Sequence, residues 1–135
     1  PIQLKGQYPN SNVQKWSDIA NAANAFVLIL PEYNHGYSAV IKNALDWLYL
    51  EFEKKPFGLA GVSVGSFGGI RAVERLRPVI ENFGAFAIRE AITFSKADRL
   101  FDEHGRLLDE SYNKRIKRFL SSLFFFAETM KTARN

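Results

Sequence analysis

Five apolar residues, Phe26, Val27, Leu28, Ile29 and Leu30, run without a break into Pro31 and then into the polar cluster Glu32, Tyr33, Asn34, His35 and Gly36. An apolar run without alternation fits a strand covered on both faces inside a parallel sheet, and Pro31 ends it. From Tyr37 the period changes, and Val40, Ile41, Ala44, Leu45, Trp47 and Leu48 recur at helical spacing. The stretch reads strand, loop, helix. In open α/β sheets ligands gather outside the carboxyl ends of strands, so the polar cluster is the first candidate binding loop.

The same layout recurs downstream. After a charged connector from Glu51 to Pro56, the small and apolar residues Phe57 to Val64 read as a second strand, which ends in Gly65, Ser66, Phe67, Gly68 and Gly69. A helix over Ile70 to Asn82 buries Ile70, Val73, Leu76, Val79 and Ile80, turns Arg71, Glu74, Arg75, Arg77 and Glu81 outward, and stops at Gly84. Ala85 to Ile88 reads as a third strand, continued toward Ile92. Upstream, Pro1 to Asn10 reads as a loop, and Ser11 or Asn12 caps a helix lined by Val13, Trp16, Ile19, Ala20 and Ala23. At the far end, the polar turn Asp102, Glu103, His104 and Gly105 is flanked by Leu100, Phe101, Leu107 and Leu108, which anchor it on the body or on a partner. Asp109 caps a last helix with the stripe Ile116, Phe119, Leu120, Leu123 and Phe124, widened by Phe125 and Phe126. Its Lys114, Arg115, Lys117 and Arg118 face solvent. Strand-loop-helix units in series argue for an α/β sandwich with a parallel sheet.

Composition narrows the chemistry. At 135 residues and 47% hydrophobic content the chain fits a single globular domain over residues 1–135. The absence of cysteine excludes disulfides, thiolate metal sites and a cysteine nucleophile. No apolar run approaches the ~20 residues of a membrane-spanning helix, and no secretory pattern opens the chain, so a cytoplasmic location is expected. The net charge of +4 favours anionic ligands without any nucleic-acid pattern, so neither nucleic acid nor a membrane is an expected partner. The sequence spacing around His35 and His104 does not suggest a metal site, and none is expected. The chain begins with Pro1 rather than Met, which points to a processed, truncated or renumbered product.

Two motifs in the second unit compete. Gly65, Gly68 and Gly69 permit close backbone approach to a ligand, with helix-start amides available for a carbonyl or an anion. No Gly-Lys-Ser/Thr ending follows, so a Walker-type phosphate loop is excluded, and the G-x-G-x-x-G pattern also fails. Gly61 to Gly65 spell G-x-S-x-G, with Asp98 or Asp102 and His104 following in hydrolase order. Ser63 is read as lying within the strand rather than on the turn after it, and the Asp98-to-His104 spacing is too short for separate acid and base loops. A hydrolase triad is therefore set aside.

Together, Pro31-Glu32-Tyr33-Asn34-His35, Lys42-Asn43-Ala44-Leu45-Asp46-Trp47 and Gly65-Ser66-Phe67-Gly68-Gly69 resemble the NADPH-dependent FMN reductase family of the flavodoxin-like fold. This family includes quinone, azo-dye and chromate reductases, and the turn from Phe101 to Leu107 resembles its acidic turn before the last helix. The resemblance implies FMN as cofactor and NADPH or NADH as donor, with hydride passing through flavin N5 to a quinone, azo compound, chromate or free flavin. Pro31, Glu32, Tyr33 and Asn34 with Gly65, Ser66, Phe67, Gly68 and Gly69 are then the expected cofactor-binding residues, and His35 borders the substrate. No side chain is expected to act as nucleophile or base, since the cofactor carries the redox chemistry. The resemblance also implies a homodimer or homotetramer, with Trp47, Leu48, Tyr49 and Leu50 at a subunit contact.

The family's opening strand, phosphate-binding loop and helix, and second strand are not found ahead of Pro1. The expected fold is thus a flavodoxin-like three-layer sandwich lacking its N-terminal strand-helix-strand, with the Phe26 strand left at an uncovered edge. The alternative function is a flavodoxin-like binding or assembly module without cofactor.

Overall fold

The computed structural model describes residues 7–134, so most of the expected loop from Pro1 to Asn10 lies outside the described residues. Three parallel strands, β1 (Phe26–Pro31), β2 (Pro56–Val62) and β3 (Phe86–Phe94), stand in the order β1-β2-β3. Helices α1 (Ser11–Ala22), α2 (Ala39–Asp46) and α3 (Ile70–Asn82) precede or link them, and α4 (Ala97–Leu100) and α5 (Ser111–Arg134) follow. Leu28 pairs with Leu59 and Leu59 with Ala91, so β2 is central.

Centrality, not composition, decides which strand is covered on both faces. Pro56 to Gly61 in β2 are all buried. The expectation that the Phe26 strand is covered on both faces is corrected: Phe26 and Leu30 are buried, whereas Val27 is 45% and Ile29 66% exposed. Among the described residues no strand pairs with the outer edge of β1. β1 lies at the sheet margin, and only its Phe26, Leu28 and Leu30 side meets a helical layer.

That layer is dense. Trp16, Phe26, Phe52, Phe57 and Phe83 form a chain of ring contacts, including a stacked Phe26–Phe57 pair at 4.6 Å. On the opposite face α5 lies close against β2, because Gly58 has no side chain; a Cβ there would come within 2.5 Å of the Phe119 ring. Phe119 and Leu123 pack with Ile88 and Ile92 of β3. Between Ala87 and Ala91, β3 advances four residues while β2 advances two, and Arg77 donates to the carbonyls of Ile88 and Arg89 at this bulge (3.0 and 3.4 Å). Arg77 is therefore tied back to the sheet rather than turned outward.

Other expectations need correction. The cap of α1 is Asn10, whose Oδ1 accepts from the Asn12 and Val13 amides (3.0 and 3.1 Å), and Ile19 is exposed rather than lining the core. Helix α2 starts at Ala39, capped by Ser38, and leaves Val40 exposed. On α5, Phe124 and Phe125 are exposed because the helix covers β2 and β3 but not the outer strand. Phe101 and Leu108 are partly open to solvent, while Leu100 and Leu107 pack on the body and Phe101 meets the Phe94 ring at 6.4 Å. Helix α3 has the expected limits, and Gly84 follows it at φ +68°.

The charged connector is the largest departure. Glu51 is 2% exposed, accepting from Tyr8 Oη and from Ser17 Oγ (2.7 Å) on one oxygen and from the Tyr49 amide (3.2 Å) on the other. Burial pushes its carboxyl up, but the hydrogen bonds from Tyr8, Ser17 and the Tyr49 amide outweigh this and hold it below the ordinary value. Lys55, also buried, donates to the Ala20 and Asn21 carbonyls (2.6 and 3.1 Å), which closes the end of α1.

Candidate functional site

Both candidate loops stand at the carboxyl end of the sheet. In the first, Tyr33 and Gly36 exchange two main-chain hydrogen bonds at 2.9 Å, with Asn34 at φ +48° and His35 at φ +64° between them. Two positive φ values make a tight primed turn, which asparagine tolerates better than most residues. Tyr33, Asn34 and His35 are exposed. Their loop closes one side of an open groove of about 750 Å³, whose lining includes Ile29, Pro31, Tyr33, Asn34, Tyr37 and Val40.

The second loop is sewn to the end of β3. Ser63 donates its amide to Phe94 O (3.0 Å), Lys96 donates to Gly65 O (3.2 Å) and Ala97 to Ser63 O (3.1 Å). Within the loop the glycines divide by role. Gly68 (φ +58°) and Gly69 (φ +80°) are buried, and a Cβ on either would come within 2.9 Å of main-chain atoms of Ser95 or Val62. A Cβ on Gly61 would lie 2.4 Å from Gly68 O. These three glycines let the loop fold back onto the strand ends. Gly65, Ser66 and Phe67 remain open to solvent.

One side chain pair ties the loops together. Arg71 Nη1 donates to Glu32 Oε1 at 3.0 Å, and the Arg71 guanidinium lies over the Phe67 ring, 4.6 Å from its centroid. The other oxygen of Glu32, Oε2, is buried and accepts no hydrogen bond from the described residues. A buried carboxylate oxygen without a donor is costly and calls for one from a ligand. The amides of Asn34, His35, Ser66 and Phe67 donate to no acceptor among the described residues. A planar ring with polar atoms along one edge fits such a set: apolar surface from Pro31 and Tyr33, main-chain donors, and a spare acceptor.

The structure therefore brings Glu32 and Phe67 to one tie through Arg71, with Pro31, Tyr33 and Asn34 on the groove and Gly65 and Ser66 on the second loop, outside the groove lining. It sets Gly68 and Gly69 against the strands and His35 at the tip of its turn, outside the groove lining. Sequence reasoning missed Arg71, which it placed on the solvent face of α3. A signal existed: a cation in the first turn of a helix opposes the helix dipole and needs a local partner.

The candidate triad residues are each engaged locally, His104 Nε2 lying 3.6 Å from Glu103 Oε1. Ser63 is one residue beyond β2, not within it as expected, and its Oγ accepts from the Gly65 amide (3.0 Å). Asp102 is committed to its own turn, accepting from the Arg106 amide (2.8 Å), Arg106 Nε (2.8 Å) and the His104 amide (2.9 Å). These bonds, led by the Arg106 amide, hold its carboxyl below the ordinary range. Among the described residues no cluster of three metal-ligating side chains forms, and no helix is long and apolar enough to cross a membrane.

Comparison with known proteins gives the family. Residues 2–99 match the family described as NADPH-dependent FMN reductase. An NAD(P)H-dependent FMN reductase of Pseudomonas aeruginosa is 31% identical over 124 residues, covering 88% of this chain and 67% of that protein. An FMN-dependent NADPH-azoreductase of Staphylococcus saprophyticus is 32% identical over 131 residues, covering 93% of this chain and 67% of the relative. The solved flavoenzyme NAD(P)H:(acceptor) oxidoreductase FerB of Paracoccus denitrificans superimposes with a TM-score of 0.72 at 25% identity, over 98% of this chain and 75% of that one. The chain thus spans two-thirds to three-quarters of the length of these proteins. With its parallel sheet, paired loops and matched residues, the chain belongs to the NADPH-dependent FMN reductase family, flavodoxin-like oxidoreductases that use FMN and NAD(P)H.

Proposed function

We propose that this chain holds the ring of FMN in an NAD(P)H-dependent oxidoreductase that reduces a small-molecule acceptor, a quinone, azo compound, chromate or free flavin. The observation that carries this reading is the Glu32–Arg71 tie, which joins two loops whose amides at Asn34, His35, Ser66 and Phe67 are unpaired among the described residues and leaves a buried acceptor oxygen of Glu32 without a donor among them. When bound, FMN supplies hydride acceptance and return at N5, and the protein supplies position and electrostatics. Pro31 and Tyr33 offer surface to a flat ring. The Ser66 and Phe67 amides donate to its carbonyl edge, and Glu32 Oε2 accepts from a ring or ribityl donor. Asn34 and His35, held at positive φ, border the open side where donor and acceptor take turns. Arg71 neutralises Glu32 so that a buried carboxylate can persist there.

Gly68 and Gly69 belong to the same reading as the residues that set the second loop's height above the sheet. Self-association fits the exposed Leu50 and Tyr49, whereas Leu48 is spent on the core of its own chain. A cytoplasmic location is the setting in which NAD(P)H is available.

The test is a titration of the purified chain with FMN, followed by flavin absorbance and fluorescence, and then NADPH oxidation with each acceptor. Expected are saturable quenching of flavin fluorescence and acceptor-dependent NADPH loss, both weakened by E32A. A colourless chain that takes up no FMN overturns the reading and supports a binding module without cofactor.

A further inference from the structure

Phe67 is an apolar ring at the tip of a loop, 62% exposed, where small or polar residues are the common choice. It is not loose. Arg71 covers one face of the ring at 4.6 Å and is itself held at 3.0 Å by Glu32, whose side chain is only 12% exposed. Phe67 cannot turn down onto the glycine loop without leaving the guanidinium, and its neighbours Gly65 and Ser66 put little bulk beside it. One face is thus capped by a cation, and the other is left as a fixed apolar plane in water. A ring held in place in this way offers its open face to a planar partner for offset stacking.

We infer that Phe67 is the stacking platform for a planar aromatic electron acceptor, and that Arg71, locked to Glu32, is the positioning residue that holds the ring. This rests on the reductase reading above. The amides of Ser66 and Phe67 and the free Glu32 oxygen serve the cofactor; the Phe67 ring is the largest exposed apolar group of the second loop and serves the substrate that takes its turn beside it. A flat quinone gains offset stacking and hydrophobic burial there. Chromate is tetrahedral, has no ring face and gains neither. The platform therefore sets acceptor preference.

The experiment compares 1,4-naphthoquinone with chromate at saturating NADPH in the wild type, F67A, F67L, F67Y, R71A and R71K. Because donor and acceptor take turns, kcat/KM for the acceptor reports its own step. In F67A the naphthoquinone-to-chromate ratio of kcat/KM falls about fivefold, the order expected for loss of one aromatic stacking pair, through KM rather than kcat. F67Y restores the ratio and F67L does not. R71A lowers it likewise, and R71K does so too, since an ammonium pairs with Glu32 but lacks the planar group that covers the ring. An unchanged ratio in F67A, or full recovery in F67L, overturns the platform while leaving the reductase reading standing. A wild type that oxidises no NADPH with either acceptor overturns the reductase reading and this assignment with it.

Discussion

Strands β1 and β2 are written in the same alphabet and live in opposite surroundings. FVLILP in β1 is the more hydrophobic, yet two of its large side chains lie in solvent; PFGLAGV in β2 contains two glycines, yet stays covered along nearly its whole length. The difference is position. A central parallel strand has helices on both faces, and an edge strand has only what packs beside it. Apolar content therefore reports that a segment is a strand, and the strand's neighbours decide which of its residues stabilise the fold.

The sharpest way to break this comparison is to make the same kind of truncation in each strand. Phe57→Ala removes a fully buried ring that touches Phe26 and Phe52, and is expected to cost about 3–5 kcal/mol in urea unfolding. Ile29→Ala, by contrast, is expected to cost less than about 1 kcal/mol. Equal losses would mean that another surface covers β1 in solution.

A smaller effect separates two glycines of one motif. Gly61→Ala drives a methyl into the Gly68 carbonyl and is expected to cost roughly 1–3 kcal/mol by the same assay. Gly65→Ala meets only Ser63 Oγ at 3.4 Å and is expected to stay within about 0.5 kcal/mol. If Gly65→Ala proves the worse, the loop packs on the sheet in another way.

The connector extends the contrast to charge. Three donors converge on the Glu51 carboxylate, so Glu51→Gln sets an amide N–H against one of them, with an expected loss of about 1–3 kcal/mol at pH 7. The folded state holds this carboxyl below its unfolded value, so its contribution is present above the ordinary glutamate range and is lost as pH falls through the lower folded value. Wild-type stability, followed by thermal melts from pH 7 to pH 3, is expected to fall toward that of E51Q in acid. Curves that remain parallel would remove Glu51 from the account. The smallest effect belongs to Ile29→Thr, which should leave stability within about 0.5 kcal/mol while lowering concentration-dependent self-association in sedimentation. No change in sedimentation would show that the edge is inert.

Much of this protein was written locally. The run Phe26 to Leu30, the helical period of Ile70 to Asn82, the turn-forming Asn34, His35 and Gly36, and the glycines from Gly65 to Gly69 carry their meaning within a few residues, because dihedral preferences and side-chain period act at that range. The parallel sheet and two loops at its carboxyl end followed from those signals, and the pairing of motifs pointed to the family. Other features depended on which surfaces meet. Ile19, Val40 and Phe124 fit helical stripes but face water, since a stripe says which side is apolar and not whether anything lies against it.

The site divides in the same way. Pro31 to Gly36 and Gly65 to Gly69 were legible as loops, but the residue that joins them was not: Arg71 reaches Glu32 across 39 positions of sequence, and only the arrangement of α3 beside β1 makes them neighbours. The burial of Glu51 and Lys55 in a stretch that reads as a solvated connector has the same origin. By itself the sequence determined the order and kind of the elements and the chemistry its loops could offer. The tertiary structure alone decided which strand is central, which charges are buried and which oxygen of Glu32 is left without a donor among the described residues, because burial and pairing belong to surfaces that distant segments form together.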